Sequence, residues 1–296
     1  MTLRIPMLAG LALGFLPVMA SAAERPVVVE LFTSQGCSSC PPANAFLNEM
    51  SKDRSDVLPL AFHVTYWDRL GWRDPFSLEA ATERQGRYGH RFGDGSYTPE
   101  MVVDGSVGLV GSHRDEVNAA IARAKQSQLT GPDVSVGKDG ENVAIRIGSG
   151  NGNGKVLLIG FDHEHTTKIG RGENGGRTLA ESNVVRSIRP VGEWSGKPVN
   201  INERYPDGQD VAVVIESSDG KIVGAGRLSS GSTEESRSSS APRQRSVVTR
   251  RRHRPAGHPR PAAKRPQQAR LVGCSGRRQY KSLEIVDGSG SRHADA

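Results

Sequence analysis

Cysteine is rare in this chain, and its one long apolar run lies within the first residues. Three Cys occur among 296 residues, and Cys274 stands apart from the other two. No metal-finger spacing is present, no internal repeat recurs, and no glycine loop ends in the lysine–serine pair of a P-loop. Beyond residue 23 no second hydrophobic stretch follows, so no membrane span is expected there. Aromatic residues make up 5% of the chain and almost vanish from residues 229–296. That segment holds 15 Lys/Arg against 5 Asp/Glu, whereas residues 1–228 hold 24 against 27. The formal charge of +7 therefore comes from the tail alone. A segment rich in Ser, Arg, Pro and Gln cannot bury enough apolar surface to offset its chain entropy, and residues 229–296 are expected to be disordered. With no aromatics between its arginines, even Arg250-Arg251-Arg252-His253-Arg254 predicts no specific nucleic-acid binding.

Residues 1–23 combine Arg4, the apolar stretch Ile5 to Leu16 and the small-x-small site Ala20-Ser21-Ala22, the pattern of a cleaved signal peptide. Export implies a periplasmic or secreted protein, in a compartment where disulfides form and persist.

Between leader and tail two domains are expected, over 24–128 and 129–228. In the first, Val27–Phe32 is a β-branched apolar strand, Thr33-Ser34-Gln35-Gly36 is turn chemistry, and a helix runs to about Lys52. Val57–Thr65 is apolar enough for a strand buried on both faces. Phe76 to Tyr88 reads as a helix, with Asp74 as cap and Pro75 at its first position. Met101–Val103 and Val107–Val110 form a hairpin across Asp104-Gly105-Ser106, and a helix from about Arg114 to Gln126 closes the unit. The order is β-α-β-α-β-β-α. From Gly131 onward short alternating strands dominate, at Asp133–Val136, Asn142–Ile147, Lys155–Phe161, Asn183–Ile188 and Asp210–Glu216. They predict a small antiparallel, sandwich-like domain.

Cys37-Ser38-Ser39-Cys40 lies between the first strand and its helix. A CxxC at that junction is a redox motif first and a metal motif second. Cys37 is expected at the helix N-terminus, accessible and held as thiolate by unpaired N–H groups and the macrodipole. Cys40, one turn on and more buried, is then the resolving thiol, and the pair works through a mixed disulfide. A fixed disulfide is the rival reading, although so short a loop gains little entropy from closure. Ligands sit beyond the carboxyl ends of parallel strands, which brings His63, Tyr66, Trp67 and Asp68 near the cysteines. His63 or Asp68 is a candidate acid/base; Tyr66, Trp67 and Trp72 are candidate walls of a substrate groove, or simply packing.

These features resemble a thioredoxin fold: the CxxC, the strand and helix order, and Thr98-Pro99 just before the third strand. The resemblance implies a cis-proline facing the cysteines, with Thr98 and Pro99 docking an extended substrate backbone. More closely, the chain resembles the bacterial secreted family known as domain of unknown function 1223 over about residues 25–228. The motifs that carry this likeness run from Glu30 to Pro42, with His63-Val64-Thr65-Tyr66-Trp67-Asp68, Gly71-Trp72, Arg84-Gln85 and Tyr97-Thr98-Pro99. Arg171-Gly172-Glu173-Asn174 and Asn183-Val184-Val185 extend it. That family implies a thioredoxin-like domain, a β-rich domain and no established activity.

The expected function is thiol–disulfide exchange on a protein or small thiol or disulfide substrate, with an unidentified redox partner and no cofactor. Two alternatives stay open: a copper or other metal-binding factor using the same cysteines, and a non-catalytic binding scaffold. The two-residue spacing counts against copper. His163 and His165 alternate along a strand and are weak ligand candidates. The Gly-rich loop Arg171–Arg177 reads either as a loop held by Arg–Glu pairing or as a lip over the cysteines.

Overall fold

The structure, a computed structural model, describes residues 25–127 and 131–228; the expected leader, the tail and Cys274 lie outside the described residues. The first part follows the expected order: β1 (Val27–Thr33), α1 (Pro41–Asp53), β2 (Val57–His63), α2 (Glu79–Phe92), β3 (Glu100–Val103), β4 (Val107–Val110) and α3 (Arg114–Ser127). Alternation along β1 splits its side chains between two cores. Val27, Val29 and Leu31 pack with Phe46, Leu47 and Met50 of α1 and Val117 and Ile121 of α3. Val28 and Phe32 face the other way, with Phe62, Ala81 and Tyr88. A strand covered on both faces in this way has to be apolar nearly throughout.

Two boundaries differ from expectation. β2 stops at His63, and Thr65–Trp67 turns into a short 3-10 helix. α2 begins at Glu79 with Leu78 as its N-cap, so Asp74 is not the cap. The Asp74 carboxylate instead accepts the N–H of Phe76, two residues on, together with the Gln35 N–H. An aspartate that bonds locally in this way makes a turn before the helix rather than its first turn.

The second part departs further. Its strands are β5 (Val134–Asp139), β6 (Asn142–Ile147), β7 (Gly154–Lys168), β8 (Thr178–Trp194), β9 (Val199–Arg204), β10 (Asp210–Glu216) and β11 (Ile222–Arg227). Four of them do not form a separate sandwich. They continue the first sheet, giving eight strands in the order β11-β10-β7-β8-β2-β1-β3-β4, while β5-β6-β9 makes a small antiparallel sheet. The physical reason is that β2 needs a neighbour on its second edge. β8 supplies it, parallel at Ala61–Val184, and the Asn183 side chain donates to the Pro59 carbonyl at 2.8 Å. The small sheet covers the extension: Val143, Ile145 and Ile147 meet Val211, Val213, Ile215 and Trp194. The fold is thus mixed α/β, with one large mixed sheet and a second small one.

β7 and β8 pair from Gly154–Trp194 to Lys168–Thr178, far beyond the width of the sheet. Their free arm lies along α1, where Asn48 grips it twice, donating to the Ala180 carbonyl at 2.7 Å and accepting the Ser182 N–H at 2.8 Å. This arm carries residues 169–177 to the CxxC turn. Among the described residues no helix is long and apolar enough to cross a membrane.

Candidate active site

The chain leaves β1 through a tight turn in which Cys37 N–H bonds the Ser34 carbonyl at 3.1 Å. Cys40 is the N-cap of α1, and Pro41 and Pro42 occupy a first turn whose N–H groups lack helical partners. Cys37 and Cys40 are joined as a disulfide, with Cα atoms 5.4 Å apart. Ser39 Oγ lies 3.3 Å from Cys37 Sγ and 3.5 Å from the Thr98 carbonyl oxygen. The Thr98–Pro99 peptide is cis. Trp67 Nε1 donates to Thr98 Oγ1 at 2.8 Å, tying the stretch after β2 to the one before β3.

Accessibility is where the expectation fails. Cys37 and Cys40 are both 0% exposed, while Ser38 and Ser39 between them are open. The loop at the tip of the β7–β8 arm lies on this turn. Asn174 Nδ2 donates to the carbonyls of Gln35 and Cys37 at 2.9 and 2.8 Å. Glu173 accepts from Ser38 N–H and Ser38 Oγ at 3.1 and 2.6 Å. Trp72, bonded to Gln35 Oε1 at 3.1 Å, packs beside Gly172, where a Cβ would come within 3.1 Å of the Trp72 Cβ.

A buried polar network adjoins the turn. His63 Nδ1 is 2.7 Å from Asp74, and its Nε2 is 3.8 Å from Glu181 with no hydrogen-bond partner. Gln35 donates its side-chain amide to Glu181 at 2.7 Å and its backbone N–H to Asp74 at 2.8 Å. Asn44 donates to Glu181 at 3.1 Å and accepts from Thr33 at 2.9 Å. Burial alone would depress the His63 pKa; the charge of Asp74, then Glu181, outweighs it and raises the imidazole to about 9. For Asp74, burial works against ionisation, but the His63 charge and the accepted N–H bonds hold its pKa below the ordinary value. Glu181 goes the other way: burial dominates and raises it, because His63 is too far off to hydrogen-bond it. The site thus holds the His63 imidazole between the carboxyl groups of Asp74 and Glu181, next to the disulfide-bearing turn.

Comparison with known proteins bears on this arrangement. Residues 28–216 match the family model described as protein of unknown function (DUF1223). The chain belongs to that family. An X-ray structure of a protein from Agrobacterium tumefaciens is 33% identical, covering 70% of this chain and 96% of that one, with a TM-score of 0.61. HBP35 of Porphyromonas gingivalis is 15% identical over 74% of this chain and 80% of that one. Its TM-score of 0.44 carries no argument. No curated protein matches. This DUF1223 match spans both parts of the large sheet, so the arm that carries Glu173, Asn174 and Glu181 belongs to the family region along with the cysteines.

The remaining candidates separate. Tyr66 donates to Gln85 at 3.1 Å and is raised above the ordinary tyrosine range, chiefly by burial. Asp68 accepts the Asp74 N–H at 3.1 Å and Ser77 Oγ at 2.8 Å. It holds the turn that places Asp74, the residue that pairs with His63. His165 bonds Asp162 at 2.8 Å and stacks on Phe76, whereas His163 is exposed, 3.8 Å from Asp210. Among the described residues no group of three or more His, Cys, Asp or Glu is arranged to hold a metal ion.

Glu100, directly after the cis-proline, was not foreseen as a titrating group. It is buried, and its Oε1 has no hydrogen-bond partner. Burial raises its pKa to about 8 against a hydrogen bond from Gln85, with Asp94 and Glu30 adding to the rise. A raised carboxyl contributes stability that is complete below its unfolded pKa of 4.5 and is lost as pH climbs through 8. Glu100→Gln fixes the neutral form, so its urea midpoint should stay flatter than the wild type's between pH 5 and pH 9. Parallel curves for the two proteins would refute the assignment.

Proposed function

We propose that the protein is an exported, thioredoxin-like thiol–disulfide oxidoreductase whose working pair is Cys37 and Cys40. The observation that carries this reading is the Cys37–Cys40 disulfide at a strand–helix junction, with Ser39 reaching the carbonyl of a cis Thr98–Pro99 peptide. In the reducing direction, the Cys37 thiolate attacks one sulfur of a substrate disulfide. A Cys37–substrate disulfide forms, and the other substrate sulfur leaves as a thiolate and takes a proton. Cys40, giving up its proton, then attacks Cys37 Sγ, closing the Cys37–Cys40 bond and releasing the second substrate sulfur. Two electrons pass to the substrate, and an external dithiol returns them by the same steps. His63 is linked to the turn through Asp74, which accepts the Gln35 N–H.

The test is reduction of insulin by dithiothreitol, with and without the protein. Wild type should accelerate it, and Cys37→Ser should fall to the uncatalysed rate. Equal acceleration by both ends the proposal. Burial of both cysteines favours a second reading, a fixed disulfide in a binding scaffold. A bond that resists dithiothreitol until the protein unfolds would decide for that one.

A further inference from the structure

The two sulfurs are buried, yet the residues on either side of that burial are unlike each other. Beneath the turn lies the hydrogen-bonded network of Gln35, Asn44 and Glu181. Above it lies a short loop attached by few bonds. The loop is internally knit: Ile169 N–H bonds the Arg177 carbonyl, Gly176 N–H the Ile169 carbonyl, Gly175 N–H the Gly172 carbonyl and Arg177 N–H the Asn174 carbonyl. The Arg177 guanidinium also donates to Asn174 Oδ1 at 3.0 Å. Gly172 and Gly176 take φ values of +78° and +82°, a conformation that side-chain-bearing residues rarely adopt. A loop closed on itself in this way keeps its shape whether or not it touches anything else.

We propose that residues 169–177 form a lid that swings away as a unit on the β7–β8 arm, and that Cys37 exchanges disulfides only while it is open. This inference rests on the redox reading of the cysteine pair and names its regulation. Asn174 and Glu173 are the latch. Asn174, fully buried, ties the loop to the backbone of Gln35 and Cys37. Glu173, exposed, ties it to the N–H and hydroxyl of Ser38, the residue after the attacking cysteine. Opening breaks these four bonds and lifts Gly170 and Gly172 off Trp72, uncovering buried Ile169, while the loop's own hydrogen bonds stay intact. Only the Glu173 half of the latch faces solvent, and the Asn174 half is buried. Segments held by few bonds are those that open locally, and lids of this sort gate chemistry in many enzymes. An extended polypeptide approaching Thr98 and Pro99 brings backbone carbonyls of its own to take the place of the Glu173 carboxylate on Ser38.

The experiment measures stoichiometric reduction of the protein's own disulfide. The oxidised full chain is exposed to dithiothreitol under native conditions, quenched with iodoacetamide at intervals and weighed intact. Opening of the Cys37–Cys40 bond adds two alkyl groups over the background from Cys274. Glu173→Ala and Asn174→Ala should each be reduced at least about tenfold faster than wild type, the factor that corresponds to about 1.4 kcal/mol. Glu173→Gln, which keeps an acceptor for both Ser38 donors, should stay within about twofold of wild type. Because Glu173 is exposed, its variants test the latch even if Asn174→Ala fails to fold. Alanine variants reduced at the wild-type rate overturn the lid, and so does a Gln variant as fast as Ala. Insulin turnover is scored separately. Fast self-reduction without turnover upholds the lid and sinks the oxidoreductase, whereas turnover with unchanged self-reduction does the reverse.

Discussion

Replacing Arg84 with Ala should cost about 3–5 kcal/mol of folding free energy, the range found when one member of a buried ion pair is removed. Arg84 sits on α2, 1% exposed, between two strands that are far apart in sequence. Its Nε and Nη2 donate to Glu30 of β1 at 2.6 and 3.1 Å, Nη1 donates to Glu216 of β10, and Nη2 also reaches Tyr88 Oη at 2.8 Å. Tyr88 Oη in turn donates to Glu30 at 2.6 Å. Burial works against the guanidinium charge, but Glu30 and then the tyrosine and Glu216 hold it well above its ordinary pKa. Alanine would leave Glu30 buried with a charge that only Tyr88 addresses. Lysine, a single point donor, cannot span Glu30 and Glu216 together and should recover only part of the loss. Urea unfolding of Arg84→Ala, with Arg84→Ala/Glu30→Gln beside it, checks the cause. The double variant removes the orphaned charge and should be the more stable of the two. A single variant within 1 kcal/mol of wild type would show that the pair contributes little.

The second large effect is set by pH. His63 has an unfolded pKa near 6.5 and a folded one of about 9. A raised histidine stabilises the fold fully below the lower value and loses that contribution as pH climbs through the upper one. The shift corresponds to a few kcal/mol. Glu100 acts in the same direction over a lower window, from 4.5 to about 8. Asp74 opposes both: its lowered pKa contributes stability that is present above 3.8 and is lost as pH falls below. Stability should therefore be highest near pH 4–5, fall from there as Glu100 passes through its window and fall further through pH 7–9 with His63, rather than staying level to the alkaline side as an unshifted histidine would allow. His63→Gln removes the titrating charge and leaves Asp74 and Glu181 without their cation. It should be less stable than wild type at pH 6, and the gap should close by pH 10. A gap that is constant from pH 6 to pH 10 would rule out the imidazolium as its source.

Much of the first part could be read from residue order, because its signals are local. The β-branched apolar run Val27–Phe32, turn chemistry before Cys37, prolines at 41 and 42 and the hairpin at Asp104-Gly105 each constrain a few neighbouring residues. Asp74 signalled a helix cap and proved to be a turn residue before the helix, and nothing local marked it as the partner of His63. Glu181 had no local signal at all. It stands in a strand 137 positions from Asn44, and only the docking of the arm on Asn48 brings it beneath the turn. The separate sandwich failed for a similar reason. Strand patterns reveal which face is buried but not which edge will be paired, and the open edge of β2 recruited β8.

Local chemistry, then, sufficed for the cysteine pair, the elements on either side of it and the Thr98-Pro99 step before β3. Those follow from short-range backbone preferences that any neighbour can satisfy. Burial of the sulfurs, the placing of Glu181 beside His63 and the Glu173–Asn174 latch came only with long-range pairing. A charge in a protein interior is set by what surrounds it in space, and here only Asp74 is near in sequence, while Glu181 and the Asn174 that covers the turn arrive on a hairpin more than a hundred residues away.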